Sequence, residues 1–123
     1  MPSRSAYVDT IVQHLNQVAP VTARAMFGGY GLYAEGVMFA LIAYDTLYFK
    51  VDDGNRQQYL DMGSEPFTYT GKGKPIQMSY YRLPENVSED LEQLEIWVAA
   101  SRYAARRSKA KSKPRKKKTS GTQ

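Results

Sequence analysis

The chain is predicted to fold as an α+β domain, an antiparallel sheet with helices packed mainly on one face, and three observations point there. Apolar residues recur at helical spacing near the start and again after residue 88. Between residues 22 and 51 the spacing changes to strand-like runs. Those runs are separated by two- or three-residue turns, too short for the crossover that parallel strands need.

The elements follow in order. Residues 5–19 place Val8, Ile11, Val12, Leu15 and Val18 on one helical stripe, with Ser5 as the N-cap and Pro20 as the stop. "VTARAMF" then alternates, with Ala23, Ala25 and Phe27 against Thr22, Arg24 and Met26. "YGLYA", "VMFALIA" and "LYFKV" supply three more strands. Gly28-Gly29, Glu35-Gly36 and Tyr44-Asp45-Thr46 supply the turns, with positive backbone torsions expected of the glycine pair. "DDGNRQQYLDMG" reads as a short helix capped by Asp52 or Asp53 and stopped by Gly63. Residues 67–70 and 76–82 form a second hairpin around "GKGKP". The last helix is expected from about Ser88 to Arg106, with Leu91, Leu94, Val98 and Ala105 as its stripe and Trp97 beside it. The predicted order is α-β-β-β-(β)-α-β-β-α.

Charge divides the chain. Of its 123 residues, the last 18 carry nine basic residues and no acidic ones. Residues 1–105 hold the other eight basic and all twelve acidic residues, a net of −4. Two regions are therefore expected: a folded, acidic body over 1–105 and a basic, disordered tail over 106–123. The absence of cysteine excludes disulfides and thiolate chemistry, and His14 as the single histidine leaves little for a zinc site. No signal-like start and no membrane-length apolar run is present, so the expected setting is the bacterial cytoplasm, without membrane contact.

One string carries more information than composition. "RAMFGGYGLY" holds Arg24, Met26, Phe27, Gly28, Gly29, Gly31 and Tyr33. With "LYFKVD", "PFTY", "MSYYRLPE" and a final helix bearing Trp97, it resembles the N-terminal domain of the TfoX/Sxy family over residues 5–105 or so. That resemblance implies helices on an antiparallel sheet, no catalytic residues, and a role in regulation of natural competence in bacteria. Longer TfoX proteins add a C-terminal helix-hairpin-helix-like domain; here the expectation is a stand-alone N-terminal domain with the basic tail in its place.

The residues themselves point away from catalysis. A phosphate-cradling glycine loop opens a helix. "FGGYGLY" opens a strand instead, and Gly31 reads as a point of close approach beneath an aromatic neighbour. His14 lacks a partner acid; Asp52 and Asp53 lack the ligand spacing of a calcium loop; Ser79, Ser88 and Ser101 lack a nucleophile elbow. No cofactor or metal is expected. Arg24 stands among glycines and tyrosines, where it can stack on a ring or bind an anion.

Simple alternation in "VMFALIA" turns Val37, Phe39 and Leu41 to the helices. It turns Met38, Ala40 and Ile42 to a second face, which reads as covered by another part of this chain or by a second protein, a homodimer or regulatory partner being the favoured reading. Arg106, Arg107, Lys109, Lys111, Lys113, Arg115, Lys116, Lys117 and Lys118 form a tail suited to non-specific nucleic-acid binding. The leading expectation is a non-enzymatic regulator acting through protein contacts in transcription or competence. The alternative is a small-ligand or anion-binding module on Arg24, Gly28 to Gly31 and the tyrosines.

Overall fold

Asn16 stops the first helix sooner than its apolar spacing suggests. In the computed structural model, which describes residues 6–26, 29–71 and 73–112, helix α1 spans Ala6–Leu15. The Asn16 amide donates to the carbonyls of Val12 and Val21, while its Oδ1 accepts the Val21 N–H. One side chain thus satisfies a carbonyl at the helix end and fixes the path into strand β1. The expected Ser5 cap lies outside the described residues.

The strands are β1 (Thr22–Met26), β2 (Gly29–Ala34), β3 (Val37–Ala43) and β4 (Thr46–Lys50). Helix α2 (Arg56–Asp61) then leads to β5 (Pro66–Gly71) and β6 (Lys74–Arg82). A one-turn helix α3 (Glu85–Ser88) and a long helix α4 (Leu91–Ser112) complete the order. The antiparallel α+β architecture agrees with the sequence reading. Glu35 and Gly36 both have positive φ, as do Tyr44 and Asp45. Both tight hairpin turns therefore have the primed geometry that suits the right-handed strand twist.

Several expectations change in detail. An unexpected helical turn, α3, precedes the final helix, which starts slightly later than expected because Asp90 caps it: its Oδ1 accepts the N–H groups of Glu92 and Gln93. Helix α4 continues past the expected boundary at residue 106 to Ser112. Leu91, assigned to the buried stripe, is exposed; Leu94, Trp97, Val98, Ser101, Ala104 and Ala105 are buried instead. Asp52 does not cap α2. Asn55 holds the N-cap position, and the Asp52 carboxylate accepts the Gly54 N–H in the preceding turn.

The six strands form one sheet in the order β1-β2-β3-β4-β6-β5. β3 is interior, and α2 carries the chain past the position that β6 later fills. Paired residues share a face. One rung runs Ala23–Leu32–Ala40–Phe49–Tyr81 across five strands. The next runs Arg24–Gly31–Leu41–Tyr48–Arg82.

The first rung faces the core. Leu32, Ala40 and Phe49 are fully buried with Val8, Leu15, Val51, Tyr59, Leu94 and Val98 in one cluster to which all four helices contribute. Burying each such aliphatic side chain contributes roughly 1.5–3 kcal/mol. Phe39 and Phe49 meet edge to face at 5.6 Å, and Tyr59 meets Trp97 at 4.6 Å. The Tyr59 hydroxyl lies 3.4 Å from Ser101 Oγ, which donates to the Lys50 carbonyl at 3.0 Å. Ser101 therefore serves the core, where burial raises the Tyr59 phenol's pKa.

Helices α1 and α3 are tied by the single histidine. His14 Nε2 donates to the Ser88 carbonyl at 2.6 Å, and Nδ1 accepts from the Gln17 amide at 3.0 Å. This pairing needs the neutral Nε2–H tautomer. His14, half-buried at the boundary of the core, is thus a tie between helices.

Candidate functional site

A bulge in β3 decides which side chains reach the second face of the sheet. Tyr33 pairs with Met38 and Leu32 with Ala40, so Phe39 is an extra residue between them. Phe39 and Ala40 consequently both turn to the core, and the alternation reverses beyond them. Val37 and Phe39 face the helices, as simple alternation expects. Ala40 and Ile42, which it places on the second face, are core residues at 0% and 3% exposure. Leu41, expected in the core, takes their place on the second face. Met38 is there as expected.

The buried side chains of the helices cluster with the first face, and Met38, Leu41 and Tyr80 lie outside that cluster. The second face is lined by its own side chains. Met26, Tyr33 and Met38 converge over Gly31, where an added Cβ would meet Met26 Sδ at 2.8 Å and Met38 Sδ at 3.0 Å. Gly31 therefore does mark a close approach. Gly29 serves differently from expectation: its φ is not positive, and a Cβ there would fall on the Ile42 carbonyl oxygen. Its role is to let β2 lie close to β3. Phe27 and Gly28 lie outside the described residues.

Arg24 stands exposed at one edge, its Cζ 5.6 Å from the centre of the Tyr33 ring. Lys50 Nζ lies 5.1 Å from the centre of Tyr80. Partial burial lowers the Lys50 ammonium's pKa, against the opposing pull of Asp52. Burial, helped by the nearby Tyr33, pushes the Tyr80 phenol up to about 12. Toward the other edge Phe67 packs on Tyr48 at 5.0 Å and stacks with Tyr69 at 6.1 Å. The face is a mat of methionine, leucine and aromatic side chains with cations set into it.

One signal in the sequence identifies this face. The charged residues within β1 to β6 are Arg24, Lys50, Lys74 and Arg82, all basic. The register puts Arg24, Lys50 and Arg82 on the open side. Tyr48, Phe67 and Tyr80 join the face through strand order, which local spacing does not reveal.

The basic segment begins on a structured support. Arg106, Arg107 and Lys109 are on α4, and Lys111 falls within the same helix. Arg107 makes a two-pronged pair with Asp52, Nε to Oδ2 at 2.6 Å and Nη2 to Oδ1 at 2.8 Å. That hydrogen bonding raises the Arg107 pKa further. Arg102 pairs with Glu35 at 3.1 Å. Lys113, Arg115, Lys116, Lys117 and Lys118 lie outside the described residues.

Two shallow clefts are described. One, of about 410 Å³, is lined by Tyr7, Ile11, Asp45, Leu47, Arg82 and Ser88, among others. The other, of about 430 Å³, includes Lys50, Asp52, Arg56 and Arg107. Arg24 lines neither. Among the described residues there is no His/Asp/Glu group fit to hold a metal, and no helix long and apolar enough to cross a membrane.

Comparison with known proteins agrees with this geometry. Protein Sxy of Escherichia coli (strain K12) is 25% identical over 92 residues, which cover 75% of this chain and 43% of that protein. The chain thus spans less than half the length of that relative. A family model described as the TfoX N-terminal domain matches residues 13–105, from the last turns of α1 to the buried Ala105 of α4. The bulged sheet, the Arg24-to-Tyr33 string and the Trp97 helix are the TfoX N-terminal domain, and the chain belongs to that family.

Proposed function

We propose that this protein is a non-enzymatic regulator in transcription or competence, acting by protein contact through the open face of its sheet. The observation that supports this most directly is the composition of that face. Met26, Met38, Leu41, Tyr48 and Phe67 form an apolar field, and the strand charges around it are all cations. Leu41 is buried within that field, and the half-buried Met26, Met38, Tyr48 and Phe67 around it offer apolar surface suited to docking. The complementary partner presents apolar side chains ringed by carboxylates. The body over 1–105 carries this contact, and the basic residues from Arg106 onward add sequence-independent affinity for nucleic acid.

The test is a double substitution, Met26→Glu with Met38→Glu, in a cell deleted for the native protein. Expression of DNA-uptake genes and transformation frequency are measured beside circular dichroism of the purified variant. The expected result is a folded variant with at least tenfold lower transformation. A folded variant with full transformation overturns the reading. Sedimentation of the wild type separates a second copy from another partner: a concentration-dependent dimer broken by the substitutions makes the partner a second copy.

A further inference from the structure

The last turns of α4 form a surface of their own. From Arg102 to Ser112 the helix carries Arg102, Arg106, Arg107, Lys109 and Lys111, and no carboxylate. The helix is rooted in the core by Leu94, Trp97, Val98 and Ala105, so Arg106, Arg107 and Lys109 follow directly on a packed segment of the same helix. Tyr103, 60% exposed, lies between two guanidiniums: Arg106 Cζ is 5.1 Å and Arg107 Cζ 5.7 Å from its ring centre. Both cations flank the same outward-facing ring, which orients them together. The cleft that Arg107 lines with Lys50, Asp52 and Arg56 is shallow and holds charges of both signs, and the ring is already flanked by charge. The chemistry offered is to a phosphate backbone rather than to bases.

Asp52 supplies the second observation. Its two oxygens engage Arg107 in the same fork that a phosphate would accept. The pair sits at the surface, with the Arg107 side chain 45% exposed, so an incoming phosphate can reach the guanidinium. An acidic body thus holds one of its own DNA-facing cations in an internal pair.

We propose that the C-terminal turns of α4 are a duplex-DNA backbone site, in which Arg106, Arg107 and Lys109 take phosphates and Asp52 competes with DNA for Arg107. This rests on the nucleic-acid part of the reading above and adds a structured site, a partner and a built-in competitor. Duplex DNA is the favoured partner because it presents about one charge per 1.7 Å, dense enough to engage cations clustered within two helical turns. Binding is sequence-independent and weakens the exposed Asp52–Arg107 pair as it forms.

The test uses the full chain and a fluorescein-labelled 20-base-pair duplex, with anisotropy measured over a series of KCl concentrations. One variant neutralises the segment beyond the helix (Lys113→Gln, Arg115→Gln, Lys116→Gln, Lys117→Gln, Lys118→Gln). It is expected to keep binding, with a slope of log affinity against log salt of about −2.7, three phosphates at about −0.9 each. Adding Arg106→Gln and Arg107→Gln is expected to make that slope shallower by about 1.8. Lys109→Gln alone should make it shallower by about 0.9, a second check should the double substitution disturb the helix. Asp52→Asn is expected to tighten binding severalfold. Loss of binding on neutralising 113–118 overturns the α4 site while leaving the nucleic-acid reading standing. No binding by the wild type overturns both. Unchanged or weaker binding by Asp52→Asn overturns the competition, and tighter binding of duplex RNA overturns DNA as the partner.

Discussion

Tyr80 shows how a single side chain records its surroundings. It is 7% exposed on the open face, with Lys50 over its ring and Tyr33 nearby. Desolvation disfavours its phenolate and raises the pKa from 10.0 to about 12. The neutral phenol therefore contributes stability that is fully present below pH 10 and is lost as the pH rises toward 12. Between those limits the unfolded chain sheds the proton and the folded one keeps it. The thermal midpoint is expected to fall over this window, and Tyr80→Phe to make the fall shallower. A pH profile of Tyr80→Phe that overlays the wild type would show that the ring is not held as described. At the same scale, Gly29 and Gly31 look alike in sequence but meet different neighbours. Gly29 abuts a backbone carbonyl, whereas Gly31 abuts the movable ends of two methionines. Residue type alone cannot distinguish these roles, because both are set by what the sheet brings opposite.

At the scale of elements, β3 carries the main lesson. Its seven residues are apolar throughout, so nothing in their chemistry marks where the alternation breaks. The break comes from pairing: Phe39 is accommodated as an extra residue opposite β2 and packs on Phe49. This makes neighbouring positions respond oppositely to charge. Ala40→Glu places a carboxylate in the core and is expected to prevent folding. Met38→Glu places one at a half-buried position on the open face and is expected to lower the thermal midpoint only slightly. Comparable losses at the two sites in thermal melts would mean the bulge is misplaced. The helix ends were also only partly legible. Pro20 and Gly63 gave the right neighbourhoods, but Asn16, Asn55 and Asp90 set the caps and turns, through bonds that depend on the chain's exact path.

For the molecule as a whole, the division of charge matters most. The acidic body and the basic end are not separate, since Arg107 reaches back to Asp52, and within the body Arg102 reaches Glu35. Both contacts join α4 to loops far away in sequence, at the surface rather than in the core. Solvent around Arg107 screens its pair with Asp52 and limits what it adds to stability. Asp52→Asn is therefore expected to leave the thermal midpoint close to wild type while it tightens DNA binding. A large drop in the midpoint would identify the pair as a structural tie instead. The apolar face lies across the sheet from the core helices, and the basic turns of α4 adjoin it at the cleft that Lys50 shares with Arg107.

The sequence by itself determined the class of fold, the antiparallel meander, the family string from Arg24 to Tyr33 and the uneven charge, because these depend on local periodicity, turn chemistry and composition. Tertiary structure alone decided that Ala40 and Ile42 belong to the core, that Leu41 is buried on the other face of the sheet, and that Arg107 closes on Asp52. The reason is the same in each case. A local pattern says that side chains alternate or that a residue is charged, but a bulge or a partner 55 residues away exists only once strands and helices have found their register.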